Sequence, residues 1–270
     1  MNKFVTLDRP ADGVAVITMT NPAINNHGSW EGMLEMWHAM TEAREGGARV
    51  TVVASGVPGH WLHHAWLRDL SNMFQGKQVT GPNDGWFGCA DEITKHDVVT
   101  IAAISGDTSG GGCELGWACD LRVAEEGVTF SQPEVRIGIG VGMGGASRLV
   151  RLIGRTVTAE MILDGLPITA ERIYQLGGVN KLVPKGTATE VAVEWAKRLA
   201  SHPPLALSAM KRMLNDAQEM ILSESVMNDQ RVFQEISGKP DAIARMEDMQ
   251  AKFDAGQSMR EAYWPEETDS

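Results

Sequence analysis

Apolar and polar positions alternate along residues 3–8 and again along 13–19, on either side of Asp12-Gly13. A period of two around an Asp-Gly turn predicts a β-hairpin. The period then lengthens. Met33, Leu34, Met36, Trp37 and Met40 recur at helical spacing behind Ser29, a capping residue, so a helix is expected from about Ser29 to Glu45. Short β-branched runs follow at 49–54, 98–104 and 121–124, separated by helical stretches, which implies an α/β core of strands joined by crossovers. After Pro184 only helical patterning remains: an amphipathic helix at 187–200, a stretch at 204–237 broken only at Ser, Asn and Asp positions, and a helix at 240–254 before Gly256. This tail has no sheet of its own, so it is expected to cover the core or a neighbouring subunit. Residues 265–270 read as an acidic, frayed end.

Composition narrows the function. With 270 residues, 43% hydrophobic and 22% charged, the chain can bury a large core. A net charge of −11 argues against non-specific nucleic-acid binding but leaves room for an anionic small ligand on a local basic patch. No apolar run approaches a membrane span, and the Met1–Asp8 stretch reads as a strand rather than a signal peptide. The three cysteines, Cys89, Cys113 and Cys119, lack a disulfide-framework spacing, which points to reduced thiols in the cytoplasm. Cys113 and Cys119 flank a glutamate, yet both fit the role of small apolar filler.

That glutamate is the first of two. Ser109-Gly110-Gly111-Gly112-Cys113-Glu114 follows the strand at 98–104 and should open a helix near Gly111. A helix start exposes unpaired N–H groups, so the Gly111 amide can hold developing negative charge, and Glu114, one turn in, points back towards it. A plain first-turn acid on the helix dipole is the competing reading. The second glutamate follows Phe130-Ser131-Gln132-Pro133 and precedes the glycine-studded stretch Gly138–Gly145, with Arg148 and Arg151 beyond. That spacing is not a nucleotide-binding fingerprint, and close packing around a substrate tail suits it better. Two carboxylates beside glycine-freed amides suggest acid–base chemistry next to an oxyanion site.

Residues 101–126, 130–138 and 144–184 resemble the crotonase (enoyl-CoA hydratase/isomerase) superfamily, and enoyl-CoA hydratase most. The Gly-Gly-Gly-Cys-Glu-Leu block with its later Ala-Cys-Asp, the Gln-Pro-Glu block, and the late Gly-Gly-Val-Asn-Lys-Leu-Val-Pro at 177–184 carry the resemblance. It implies an α/β spiral of ββα units with its active site in residues 1–200, a helical oligomerisation region at 201–256 and an acidic tail at 257–270. It also implies an acyl-CoA substrate with no further cofactor or metal, and a homotrimer or dimer of trimers. Its oxyanion amides fall on Ala65 and Gly111, and its catalytic pair on Glu114 and Glu134.

The chain departs from that family at one loop. Where the family usually has Ala-Gly-Ala-Asp, this sequence has His63-His64-Ala65-Trp66, and Val141-Gly142-Met143-Gly144-Gly145 replaces the usual Pro-Gly-Ala-Gly-Gly. His27, His63, His64 and Trp66 are expected to enter one pocket, with Gly142 on a wall near the acyl group. His60, His63 and His64 resemble a metal site only loosely, since no carboxylate or cysteine spacing supports it. Packing, reshaping of the acyl pocket and an added acid–base are the other readings. Trp61 reads as core. Arg68 falls where the family often places a cation near CoA phosphates, or is a solvated loop charge. Phe253 and Lys252 fall near a tail position that reaches CoA in related proteins, and equally suit a surface helix. Hydration of a 2-enoyl-CoA is the leading expectation. Another reaction on the same scaffold, isomerisation or C–C hydrolysis with a histidine, comes second, and a non-catalytic acyl-CoA-binding homologue third.

Overall fold

The structure, a computed structural model, describes residues 3–77 and 84–264; the acidic end at 265–270 lies outside the described residues. The hairpin forms from β1 (Val5–Ala11) and β2 (Val14–Met19), with Val5 opposite Met19 and a bulge between Asp8 and Ala11. Ser29 caps α1 (Trp30–Glu45) through a bond from the Gly32 amide. The chain continues through β3 (Val50–Ser55), β4 (Gly59–His60), α2 (Leu67–Phe74), α3 (Asp84–Thr94), β5 (Val99–Ile104), β6 (Gly106–Ser109), α4 (Gly110–Ala118), β7 (Leu121–Glu125) and β8 (Thr129–Ser131). A 3₁₀ turn at Glu134–Ile137 leads to α5 (Gly145–Ile153), α6 (Arg155–Asp164), β9 (Ile168–Thr169), α7 (Ala170–Gln175), β10 (Lys181–Val183) and α8 (Ala188–Ala200).

Two sheets result. The first runs β1-β2-β3-β5-β7-β10 and is parallel beyond the hairpin; the second runs β4-β6-β8-β9. Every residue of β5 is buried, as a strand covered on both faces requires, and this is why it reads as an unbroken apolar run. α8 packs on β2, β3, β5 and β7 through Ala188, Ala192, Ala196 and Ala200, whose small side chains at every fourth position let a helix lie close to the sheet. So the helix at 187–200 covers the core.

Each longer strand is followed almost at once by a short one: β3 by β4, β5 by β6, β7 by β8. The short strands pair in the same order, Gly59 beside Gly106 and Thr108 beside Phe130. Their C-terminal ends therefore deliver three segments, 61–66, 110–114 and 132–134, side by side.

Residues 1–204 and 205–270 form separate compact units. The second contains most of α9 (Pro204–Glu219), then α10 (Leu222–Ser237), α11 (Pro240–Asp254) and α12 (Met259–Tyr263), the last held by a capping box between Ser258 and Glu261. The break within 204–237 falls at Met220-Ile221, not at a Ser, Asn or Asp, with Ile221 in extended backbone (ψ 154°). The reversal lets Val232 and Ile236 pack on Ala209 and Met213, so tertiary burial overrides local helix preference. Among the described residues, no helix is long and apolar enough to cross a membrane.

Candidate active site

Gly110 is where β6 turns into α4, and its φ of +51° suits glycine. A Cβ there would come within 2.6 Å of His64 Cβ and 2.9 Å of Glu134 Oε1, so all three delivered segments meet around this one residue. Gly112 is tighter still, since a Cβ would lie 2.1 Å from the Leu62 carbonyl oxygen. The loop after β4 is held from its other side as well: the Gly28 amide donates to the His64 carbonyl (3.1 Å) and the Trp66 amide to the Gly28 carbonyl (3.0 Å). Ala65 sits between these bonds, bridged to Gly28. Neither its amide nor that of Gly111 has a protein acceptor among the described residues.

α4 carries Glu114, which is 2% exposed. Removing a carboxylate from water costs several kcal/mol unless hydrogen bonds replace the solvent. Here Oε1 accepts from the Met143 (2.8 Å) and Gly145 (2.7 Å) amides. The other end of α4 is closed by buried Arg122, whose Nη1 donates to the Cys119 carbonyl (2.6 Å) and the Gly116 carbonyl (3.2 Å). Asp120 locks the neighbouring strand by accepting from the Thr100 amide (2.7 Å) and hydroxyl (2.9 Å). Glu134 opens the 3₁₀ turn after β8. Burial pushes its carboxyl up to about 7, its own backbone amide opposes this, and the charge of Glu114 adds to the rise. With the Gln132 amide turned to satisfy both of its atoms, its nitrogen donates to both Glu134 oxygens (3.1 and 3.2 Å).

A cavity of about 500 Å³ opens over this arrangement. Ala65, Gly111, Glu114 and Glu134 line it, with Leu70 and Met73 of α2, Trp86 of α3 and Met143 among the apolar side chains. The lining therefore combines two carboxyls with a majority of apolar side chains.

Four imidazoles lie beside it. The His27 ring stacks on His63 (5.0 Å between centroids) and meets His64 (4.5 Å) and Trp66 (5.6 Å) edge-on. Nδ1 of His60 is 2.9 Å from Nε2 of His63, and Nδ1 of His63 is 2.9 Å from Ser109 Oγ. Burial lowers His63 to about 4, helped by the neighbouring His27, His60 and His64, and burial also lowers His27. His64 donates from Nδ1 to the Ala65 carbonyl (2.8 Å), which leaves Nε2 as the acceptor of the neutral ring.

The chain matches the sequence profile of the enoyl-CoA hydratase/isomerase family over residues 9–255. It belongs to that family. It is 30% identical over 220 residues to the 2,3-dehydroadipyl-CoA hydratase of Escherichia coli K12, covering 82% of this chain and 85% of that protein. It is 29% identical over 224 residues to a short-chain-enoyl-CoA hydratase of Clostridium acetobutylicum, covering 82% and 85%. A crystal structure of enoyl-CoA hydratase from Bacillus anthracis superposes with a TM-score of 0.82 at 25% identity, covering 94% of this chain and 97% of that one. The crotonase fold expected from the sequence is the fold observed, and the family implies an acyl-CoA substrate.

Of the residues singled out from the crotonase resemblance, Glu114, Glu134, Ala65, Gly111, His64 and Gly142 line the cavity. His63 and Trp66 do not: both ring nitrogens of His63 face His60 and Ser109, and the Trp66 ring packs edge-on against His27. The four aromatic side chains thus form one cluster, but only His64 reaches the cavity. Arg68 is exposed on α2 and does not line the cavity, although Leu67 and Leu70 of the same helix do. Phe253 lies in the second unit with its ring 6.0 Å from Tyr263, and Lys252 pairs with Asp248 (3.4 Å). Trp61 is core, 1% exposed. Among the described residues no group of three or more His, Cys, Asp or Glu side chains, the four imidazoles included, is arranged to hold a metal ion. Gln132 was visible only as part of a motif, and the amides of Met143 and Gly145 carry no sequence signal. Asn26 likewise carries no signal of its own in the sequence. It is fully buried with φ +54°, its side chain accepts from the Asn21 amide (2.6 Å), and it donates to Ser55 Oγ (2.7 Å) and the Trp61 carbonyl (3.0 Å), anchoring the histidine loop.

Proposed function

We propose that the protein hydrates a 2-enoyl-CoA, or catalyses the reverse dehydration, in the cavity beside Glu114. The Ala65 and Gly111 amides donate to the thioester oxygen and stabilise the enolate that forms as water adds at C3. Glu114 takes the proton from that water, and Glu134 shares the water and delivers a proton to C2. The observation that supports this most is the placing of two carboxyls on one cavity: Glu134 is held near 7 by burial, in range to give up a proton, and Glu114 is fixed beside it by the Met143 and Gly145 amides. The apolar wall from Leu70, Met73 and Trp86 suits a hydrocarbon acyl group.

The reading extends to the whole protein. Arg68 and Phe253 are proposed to meet the CoA portion of the substrate, and three copies, or two sets of three, are the proposed assembly. Three buried free thiols suit a reducing compartment, the cytoplasm.

Formation of 3-hydroxyacyl-CoA from crotonyl-CoA and longer enoyl-CoAs tests the reaction. Glu114→Gln and Glu134→Gln are each expected to lower kcat by roughly 10²-fold or more with modest change in KM. Near-normal turnover in either variant would overturn the two-glutamate mechanism. A second reaction on the same scaffold, isomerisation or C–C hydrolysis, is favoured by one observation, the His64 imidazole on the cavity wall. A shifted double bond or a shortened acyl chain among the products would select it.

A further inference from the structure

The two amides assigned to the oxyanion site come from different segments, and their separation is set by whatever joins those segments. The joining bonds are in view. Trp61 donates its amide to the Asp107 carbonyl (3.0 Å), and Thr108 Oγ1 donates to the Leu62 carbonyl (2.7 Å). One step further along, His63 Nδ1 meets Ser109 Oγ at 2.9 Å. His63 stands two residues before Ala65, and Ser109 stands two residues before Gly111. Among the described residues this is the last side-chain bond between the segments before the amides themselves.

We propose that His63 and Ser109 are positioning residues that fix the spacing of the Ala65 and Gly111 amides; this rests on the oxyanion reading given above. Neither side chain lines the cavity. Ser109 is 8% exposed, and its hydroxyl makes no cap bond to α4, whereas the hydroxyls of Ser29, Thr169 and Ser258 all cap their own helices. Its hydrogen-bonding capacity is committed across the segments instead. His63 is braced in turn: its amide donates to the Asn26 carbonyl (3.0 Å) and its Nε2 faces His60 Nδ1 (2.9 Å). A neutral imidazole donates from one nitrogen and accepts at the other, so the His60–His63–Ser109 chain carries one consistent direction of donors. Oxyanion donors act only if they are in place before charge develops, and a displacement of about 1 Å can cost roughly 10²-fold in rate.

The test uses the full chain with His63→Ala, Ser109→Ala, the double variant and His63→Asn, whose side-chain amide can reach where Nδ1 lies. Steady-state hydration, thermal midpoint and the red shift of a bound enoyl thioester's absorbance are read for each, the last in a Glu114→Gln background. Each single alanine variant is expected to lower kcat about 10- to 100-fold with KM within about threefold. The double variant should be no worse than either single, His63→Asn should recover most of the rate, and the red shift should shrink with kcat. Near-wild-type kcat in the single variants, multiplied losses in the double, or an unchanged red shift would overturn the inference. If wild type hydrates no enoyl-CoA, the hydratase reading fails separately, while the red shift still reports on the amide pair.

Discussion

Glu134 holds its proton to about pH 7 because the folded chain walls it off from water, with the charge of Glu114 adding to the effect. Its ordinary value is 4.5, so between 4.5 and about 7 the folded state binds this proton more tightly than the unfolded chain does. The stability that Glu134 contributes is therefore fully present below pH 4.5 and is lost as pH rises through 7. Thermal midpoints should show this: Glu134→Gln is expected to gain on wild type at pH 8 relative to its standing at pH 4. A difference that is flat with pH would refute the raised value. The same proton sets the rate. If Glu134 delivers it to C2, hydration should decline as pH rises past about 7. Both glutamates stood out in the sequence beside glycine, but the raised value of Glu134 did not, because it depends on burial in the fold and on the charge of Glu114, 20 residues away.

At the scale of elements, the site depends on how closely the start of α4 is pressed against the loop after β4. Gly112→Ala would drive a Cβ to 2.1 Å from a backbone carbonyl, which cannot swing aside as a side chain can. A loss of roughly 5 °C or more in thermal midpoint is expected, measured by calorimetry. Gly142 is the contrast. A Cβ there meets nothing within 4 Å and its φ is not positive, so Gly142→Ala should leave the midpoint within about 1 °C. The two glycines look alike in sequence, and only the neighbouring segment separates them. The hairpin, α1, β3, β5 and β7 were all legible because their periods run long enough to read. The second sheet was not. Its strands are two to four residues long, too short to show a period, and they exist because β3, β5 and β7 bring them into register.

Across the whole molecule, the second unit leaves Leu214, Leu222, Met227 and Phe233 more than half exposed. Large apolar side chains in that density favour association, in line with the proposed trimer. Light scattering on the purified protein should give about 88 kDa for three 29.3 kDa chains, or about twice that for six, and a persistent monomer would refute the assembly. The sequence by itself determined the α/β class, the crotonase family, the glutamate pair and the glycines around it, because these rest on local periodicity and on contiguous motifs. It also placed three histidines and a tryptophan, His27, His63, His64 and Trp66, in one pocket. The tertiary structure decided what that cluster does: His64 faces the cavity, while His63 turns away to join Ser109, 46 residues further along the chain. A hydrogen bond between side chains so distant in sequence leaves no period and no motif. It exists because two parallel short strands bring the segments together, and a single chain read from end to end cannot show that.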